Sequence, residues 1–267
     1  MIPYQVLKPY EKLTVEFISD WEKENFEKIK SKQPEEWIWN HKKIVYNRNS
    51  HGFRCAEFDT IDWENSNVII GCSRVFGHSV DEQNTISHNL ERTTGENYIN
   101  LGLCGAGPDT CYHHAIWAKT LGVKKIIILM PNISRFSMFL KDYAGNHITR
   151  LVKSTDDKLD IADIDEYFNV PRYIADGYDL ESKYKMYCSL LSGLDNTFVF
   201  DFVNKDSDIF TGDWTSFVDK KELIEKTKNG IEFFNFYKGR DMLHPGMQEN
   251  KEYVKFILEQ LDTVNQK

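Results

Sequence analysis

From residue 67 onward the chain alternates short, largely apolar runs with longer stretches whose apolar positions recur every three or four residues. The runs cover 67–70, 98–101, 125–130, 197–203 and 231–236. They show little apolar–polar alternation, as expected of strands buried on both faces. The stretches between them predict crossover helices over about 83–93, 109–121, 173–193 and 218–229. A last helix, about 247–263, carries Val254, Ile257, Leu258 and Leu261 on one face. Strand–helix alternation of this kind implies a mostly parallel sheet covered by helices on both sides. The expected fold class is therefore α/β. It would be a three-layer α/β/α sandwich with a flavodoxin-like sheet of about five strands.

Two regions depart from this rhythm. Residues 10–31 place Leu13, Phe17, Ile18, Trp21 and Phe26 among many charges, the pattern of an amphipathic helix. Residues 34–64 are aromatic and polar without a clear period, and read as an irregular lead-in packed on the domain. The stretch 141–195 is charged and long for one connection. It reads as an insertion of helices and loop over the sheet edge, where specificity elements usually sit. Neither an internal repeat nor a low-complexity linker divides the chain. Residues 1–267 are thus expected to form a single domain, with 1–65 as an N-terminal extension.

Composition narrows the function classes. The net charge is −8 and no basic cluster stands out, which argues against a nucleic-acid partner. No apolar run approaches the roughly 20 residues needed to span a bilayer, and the first residues lack the pattern of a signal peptide. The five cysteines (Cys55, Cys72, Cys104, Cys111, Cys188) are odd in number, irregularly spaced and form no CxxC pair. Reduced thiols in a cytoplasmic protein without a membrane anchor are the expectation.

The stretch 67–77, NVIIGCSRVFG, carries the first chemical signal. A buried strand ends at Gly71, and the hydroxyl of Ser73 follows at the sheet edge where α/β folds bind ligands. A serine hydroxyl is a weak nucleophile and needs a base; the base needs a carboxylate to fix its tautomer. Near the other end of the sequence, DMLHPG at 241–246 offers Asp241 and His244, a spacing that lets the carboxylate reach the imidazole. NLGLCGAG at 100–107 supplies glycines that allow a backbone N–H to face a ligand. Asn132 ends the run IIILMPN. Each residue also has a plainer reading. Ser73 could be a helix cap, Asp241 an ordinary cap, His244 a satisfied loop histidine, and Asn132 the cap of a helix after Pro131.

Order and spacing resemble the SGNH, or GDSL-type, serine hydrolases. GCSRVFG is similar to that family's first block, with Cys72 where an aspartate is common. Gly105 is the best match to the second-block glycine, and Asn132 to the third-block asparagine, in an altered setting without the usual glycine and aspartate. DMLHPG resembles the DxxHP block, and YNRNSHGFR at 46–54 resembles the lead-in of many bacterial and phage members. The resemblance implies an esterase acting on small or carbohydrate-linked acyl esters. Ser73 would be the nucleophile, His244 the base and Asp241 its orienter. Ser73, Gly105 and Asn132 would bind the oxyanion. It implies neither metal nor cofactor. An O-acyltransferase on the same residues, or a carbohydrate-binding protein without activity, are the rival readings.

Other reactive side chains fit plainer roles. Cys72 lies one position from Ser73 and should point into the core. His113 and His114 are adjacent and diverge on a helix, with no ligand at useful spacing. They and His78 read as helix-surface or partly buried residues. Arg74 and Arg135 lie near the site in sequence and are candidate substrate contacts, with structural ion pairs as the alternative.

Overall fold

Four of the apolar runs pair as parallel strands in a computed structural model of the chain. The structure describes residues 13–18, 20–132, 135–141, 147–155, 158–160, 180–201, 238–241 and 244–265. In chain order the strands are β1 (Leu13–Val15), β2 (Tyr46–Arg48), β3 (Asn67–Gly71), β4 (Tyr98–Gly102), β5 (Ile126–Met130), β6 (Arg135–Lys141), β7 (His147–Thr155), β8 (Lys158–Asp160) and β9 (Thr197–Asp201). The helices are α1 (Asp20–Lys30), α2 (Ser73–Phe76), α3 (Ile86–Thr94), α4 (Pro108–Thr120), α5 (Leu180–Ser192) and α6 (Met247–Asn265).

The central sheet has the order β4-β3-β5-β9, every pair parallel. The chain leaves β3 to build β4 on one side, then returns to build β5 on the other. That reversal opens a crevice at the carboxyl end of β3, where ligands of such sheets bind. The runs lack alternation because each strand is covered twice. Val68, Ile70, Leu101, Ile126 and Ile128 face α4 and α5, meeting Cys111, Ala115, Tyr184, Cys188 and Leu191. Ile69, Ile127, Leu129 and Phe200 face the other way, onto Ile86 and Leu90 of α3 and Tyr253, Val254, Ile257 and Leu261 of α6. Each fully buried isoleucine contributes roughly 1.5–3 kcal/mol of transfer free energy. The fold is thus the α/β class expected, with helices on both faces of a parallel sheet.

Thr85 Oγ1 accepts a hydrogen bond from the His88 backbone N–H and caps α3. Pro108, which has no N–H to satisfy, opens α4. The expected strand over 231–236 and helix over 218–229 lie outside the described residues. Two local expectations change. The helix expected from residue 10 begins only at Asp20, because Leu13–Val15 pairs with β2 as an antiparallel strand. The stretch expected to hold helices and loop begins instead with a β-meander. β6 and β7 pair from Arg135↔Lys153 to Lys141↔His147, and β8 adds to β7. Charged and hydroxyl residues recur through these strands and leave apolar pieces of three residues at most, too short to stand out as apolar runs. Among the described residues, no helix is long and apolar enough to cross a membrane.

Candidate functional site

Gly71 lies level with Gly102 of β4 and with Leu129 of β5, so three strand ends open at one edge of the sheet. The one-turn helix α2 begins there and lies directly on the strands. A Cβ on Gly102 would sit 2.2 Å from the Phe76 nitrogen, and one on Gly71 would sit 2.5 Å from a Val75 methyl carbon. Only glycine at both positions lets α2 settle so low. Ser73, its first residue, is thereby held at the carboxyl end of β3, with its residue surface only 6% exposed.

The segment leading into α6 brings the partners. Ser73 Oγ is 2.8 Å from His244 Nε2, and His244 Nδ1 is 2.5 Å from Asp241 Oδ2. The His244 backbone N–H donates to Asp241 Oδ1 at 3.0 Å. Both carboxylate oxygens are therefore engaged by one residue, which fixes the ring. The segment is tied down by the Lys238↔Pro245 bridge and by the Gly239 N–H, which donates to the His244 carbonyl at 3.0 Å. Burial alone would raise the Asp241 carboxyl. The His244 side-chain hydrogen bond, its charge and the His244 backbone N–H outweigh that and hold it well below the usual carboxylate range. The His244 side chain keeps 23% of its surface exposed while Asp241 keeps 3%. Solvent reaches the ring, but the carboxylate that fixes it is sealed.

His78 belongs to this cluster, contrary to its reading as an ordinary surface or partly buried residue. After α2 the chain folds back, and the His78 N–H donates to the Ser73 carbonyl at 2.9 Å. Its ring packs against His244 with centroids 4.6 Å apart. Its Nε2 lies 3.6 Å from Asp241 Oδ2 and 3.6 Å from Glu22 Oε1. Burial, and then His244, push its pKa down to about 4. Glu22 comes from α1 and is itself buried. Its carboxylate accepts from Tyr46 Oη at 2.9 Å, Arg240 Nη2 at 2.9 Å and the Ile18 N–H at 2.6 Å. The Arg240 guanidinium lies 4.2 Å above the Phe17 ring and also donates to the Glu16 carbonyl. A four-residue helix that ends at Gly77 must turn residue 78 back beneath Ser73. That local signal could have flagged His78; nothing local points to Glu22 or Arg240.

His78, Asp241 and His244 also bring metal-ligand atoms within 4.8 Å of one another, the one such group among the described residues. His244 spends its two nitrogens on Asp241 and Ser73, and the positive charge of Arg240 acts on His78. Both facts oppose a cation in the cluster.

The remaining candidates are placed as follows. Gly105 sits in the β4–α4 loop with φ +83°, a backbone angle that favours glycine. Asn132 follows β5 and is half-buried; its carbonyl accepts from the Arg135 N–H at 3.1 Å. A strand follows this turn, so the reading of Asn132 as a helix cap falls. Arg74 donates to Tyr253 Oη at 2.9 Å, and Tyr253 Oη donates to Glu249 at 2.7 Å, so Arg74 ties α2 to α6. Arg135 is half-buried, and its Nη1 is buried without a hydrogen bond among the described residues. Cys72 packs into the core shared with α4. His114 is fully buried against the edge of Phe53, deeper than expected, while His113 stays half-buried.

No family model matches the chain, and no curated protein does. Among solved structures, a Desulfitobacterium hafniense DCB-2 protein assigned to the lipolytic G-D-S-L family resembles it with a TM-score of 0.38 and 13% identity. The match covers 73% of this chain and 98% of that one. At that score and identity the likeness carries no weight for individual residues. What the site can do follows from its own geometry. A hydroxyl, an imidazole and a carboxylate stand in one hydrogen-bonded line at the open edge of a parallel sheet.

Proposed function

We propose that this protein is a serine hydrolase that cleaves small or carbohydrate-linked acyl esters at Ser73. The observation that carries the reading is the line Ser73 Oγ–His244–Asp241, with contacts of 2.8 Å and 2.5 Å. Nucleophile-to-base and base-to-orienter distances of this kind are what nucleophilic catalysis requires. His244 Nε2 takes the proton as Ser73 Oγ bonds to the ester carbonyl carbon. Charge then develops on the carbonyl oxygen, which the Ser73 and Gly105 N–H groups and the Asn132 amide would receive. The carbon–alkoxide bond breaks, His244 returns the proton to the leaving alcohol, and the acyl group stays on Ser73. A water, deprotonated by His244, then attacks the acyl carbon; the bond from that carbon to Ser73 Oγ breaks, His244 returns the proton to Oγ, and the acid leaves. Asp241 stabilises the imidazolium without taking its proton. The carbohydrate preference comes from the family resemblance in the sequence motifs.

The test is labelling with a fluorophosphonate probe together with turnover of p-nitrophenyl acetate. The wild-type protein should be labelled on the peptide containing Ser73. Ser73→Ala should lose both the label and turnover above background. Folded wild-type protein that neither labels nor turns over would overturn the reading. Product analysis with competing sugar alcohols separates hydrolysis from acyl transfer.

A further inference from the structure

The line of polar groups does not stop at Asp241. Behind that carboxylate stands His78, 9% exposed, with neither ring nitrogen in a hydrogen bond of ordinary length among the described residues. Two carboxylate oxygens, Asp241 Oδ2 and Glu22 Oε1, each lie 3.6 Å from Nε2. An apolar ring would fill this space without the cost of burying two polar nitrogens. Packing fixes the ring: it stacks on Tyr46 with centroids 6.0 Å apart and planes 23° from parallel. The Ser79 N–H donates to Tyr46 Oη at 2.9 Å, which anchors the backbone beside it.

We propose that His78 is a positioning residue. Its Nε2–H, aimed between the Asp241 and Glu22 carboxylates, holds Asp241 in the orientation that fixes His244 and links the site to the N-terminal helix α1. The groups that face it are Asp241, His244 and Arg240 from the segment before α6, Glu22 from α1 and Tyr46 from β2. A neutral ring has one N–H. Were it on Nδ1, the Nε2 lone pair would face two carboxylate oxygens, a repulsive arrangement. On Nε2, the proton meets both acceptors. The depressed pKa keeps the ring neutral through the neutral range, so this single proton is the one that matters. A separation of 3.6 Å is long for a hydrogen bond. Contacts of this sort tighten when the reacting complex forms.

The kinetic consequence rests on the proposed ester hydrolysis; the tautomer does not. Three substitutions separate the roles. The glutamine amide nitrogen reaches the place of Nε2, the asparagine nitrogen that of Nδ1, and phenylalanine keeps only the ring. His78→Phe and His78→Asn should lower kcat for p-nitrophenyl acetate roughly tenfold to a hundredfold with KM little changed, and His78→Gln should recover most of that loss. Three variants with wild-type kcat, or a glutamine variant as impaired as the phenylalanine one, would overturn the proposal. Should the phenylalanine variant not fold, ring 15N shifts of the wild-type protein decide independently. An Nε2–H tautomer for His78 between pH 6 and 8 is expected, and an Nδ1–H tautomer or a charged ring overturns it. If the wild-type protein proves inactive on every ester, the proposed function falls while the 15N result still rules on His78.

Discussion

At the scale of single residues, the site is graded from open to sealed. The edge of His244 beside Ser73 is open to solvent, Asp241 is closed off, and His78 and Glu22 lie behind it. Asn132 stands apart from this line, at the end of β5, where an amide would complete the oxyanion's donors. Asn132→Ala should therefore lower kcat by roughly a hundredfold or more while leaving the melting temperature nearly unchanged. Wild-type kcat in that variant would move the role elsewhere. Ser73, Asp241 and His244 were legible in the sequence because each sits in a short motif whose spacing has a chemical meaning. His78 was legible only in part: Gly77 marks the turn that brings residue 78 back, but a lone histidine after a glycine carries no chemical meaning of its own. Glu22 and Arg240 were beyond reach: they pair across 218 residues, and only long-range packing joins them.

At the scale of elements, the decisive contact is the one between α2 and the ends of β3 and β4. Gly102→Ala would put a methyl 2.2 Å from the Phe76 nitrogen, and α2 would have to rise. A cost of about 1–3 kcal/mol in stability is expected, with a larger fall in kcat than in affinity for substrate, because Ser73 moves with α2. Chemical denaturation and steady-state kinetics on the purified variant check both. The other fixed point is α6, which begins just after Gly246 and is joined to α2 through Arg74 and Tyr253. Two helices distant in sequence thus hold the hydroxyl and the imidazole against one another. Burial on both faces wrote the central strands plainly into the sequence. The meander β6–β8 was hidden because polar residues break its strands into apolar pieces of three residues at most. The strand β1 was hidden because three residues are too few to show a period.

At the scale of the whole molecule, the N-terminal segment is more than a covering. Phe26, Trp37, Trp39, Ile44 and Tyr46 form a core of their own that closes on Phe76 of α2. The same segment supplies Glu22 to the site. The burial this requires shapes the response to pH. His78 and His114 are both held to about 4 by burial first, against an ordinary value of 6.5. Between those pH values the unfolded chain binds protons that the folded one refuses. Stability from these two groups is complete above pH 6.5 and falls as pH drops toward 4, by up to about 3 kcal/mol for each. Asp241 acts lower still, because its depressed carboxyl contributes above the usual carboxylate value near 4 and loses that contribution below it. Melting temperatures should therefore fall between pH 7.5 and pH 5, and an unchanged value would contradict the burial of both rings. The pairing of Glu22 with Arg240 has a consequence in time. During synthesis α1 and Ser73 leave the ribosome well before Arg240, Asp241 and His244. Until they arrive, Ser73 lacks its His244 contact and Glu22 lacks the Arg240 guanidinium. The growing chain can assemble strands β3, β4, β5 and β9 before the hydrogen-bonded line at Ser73 can close.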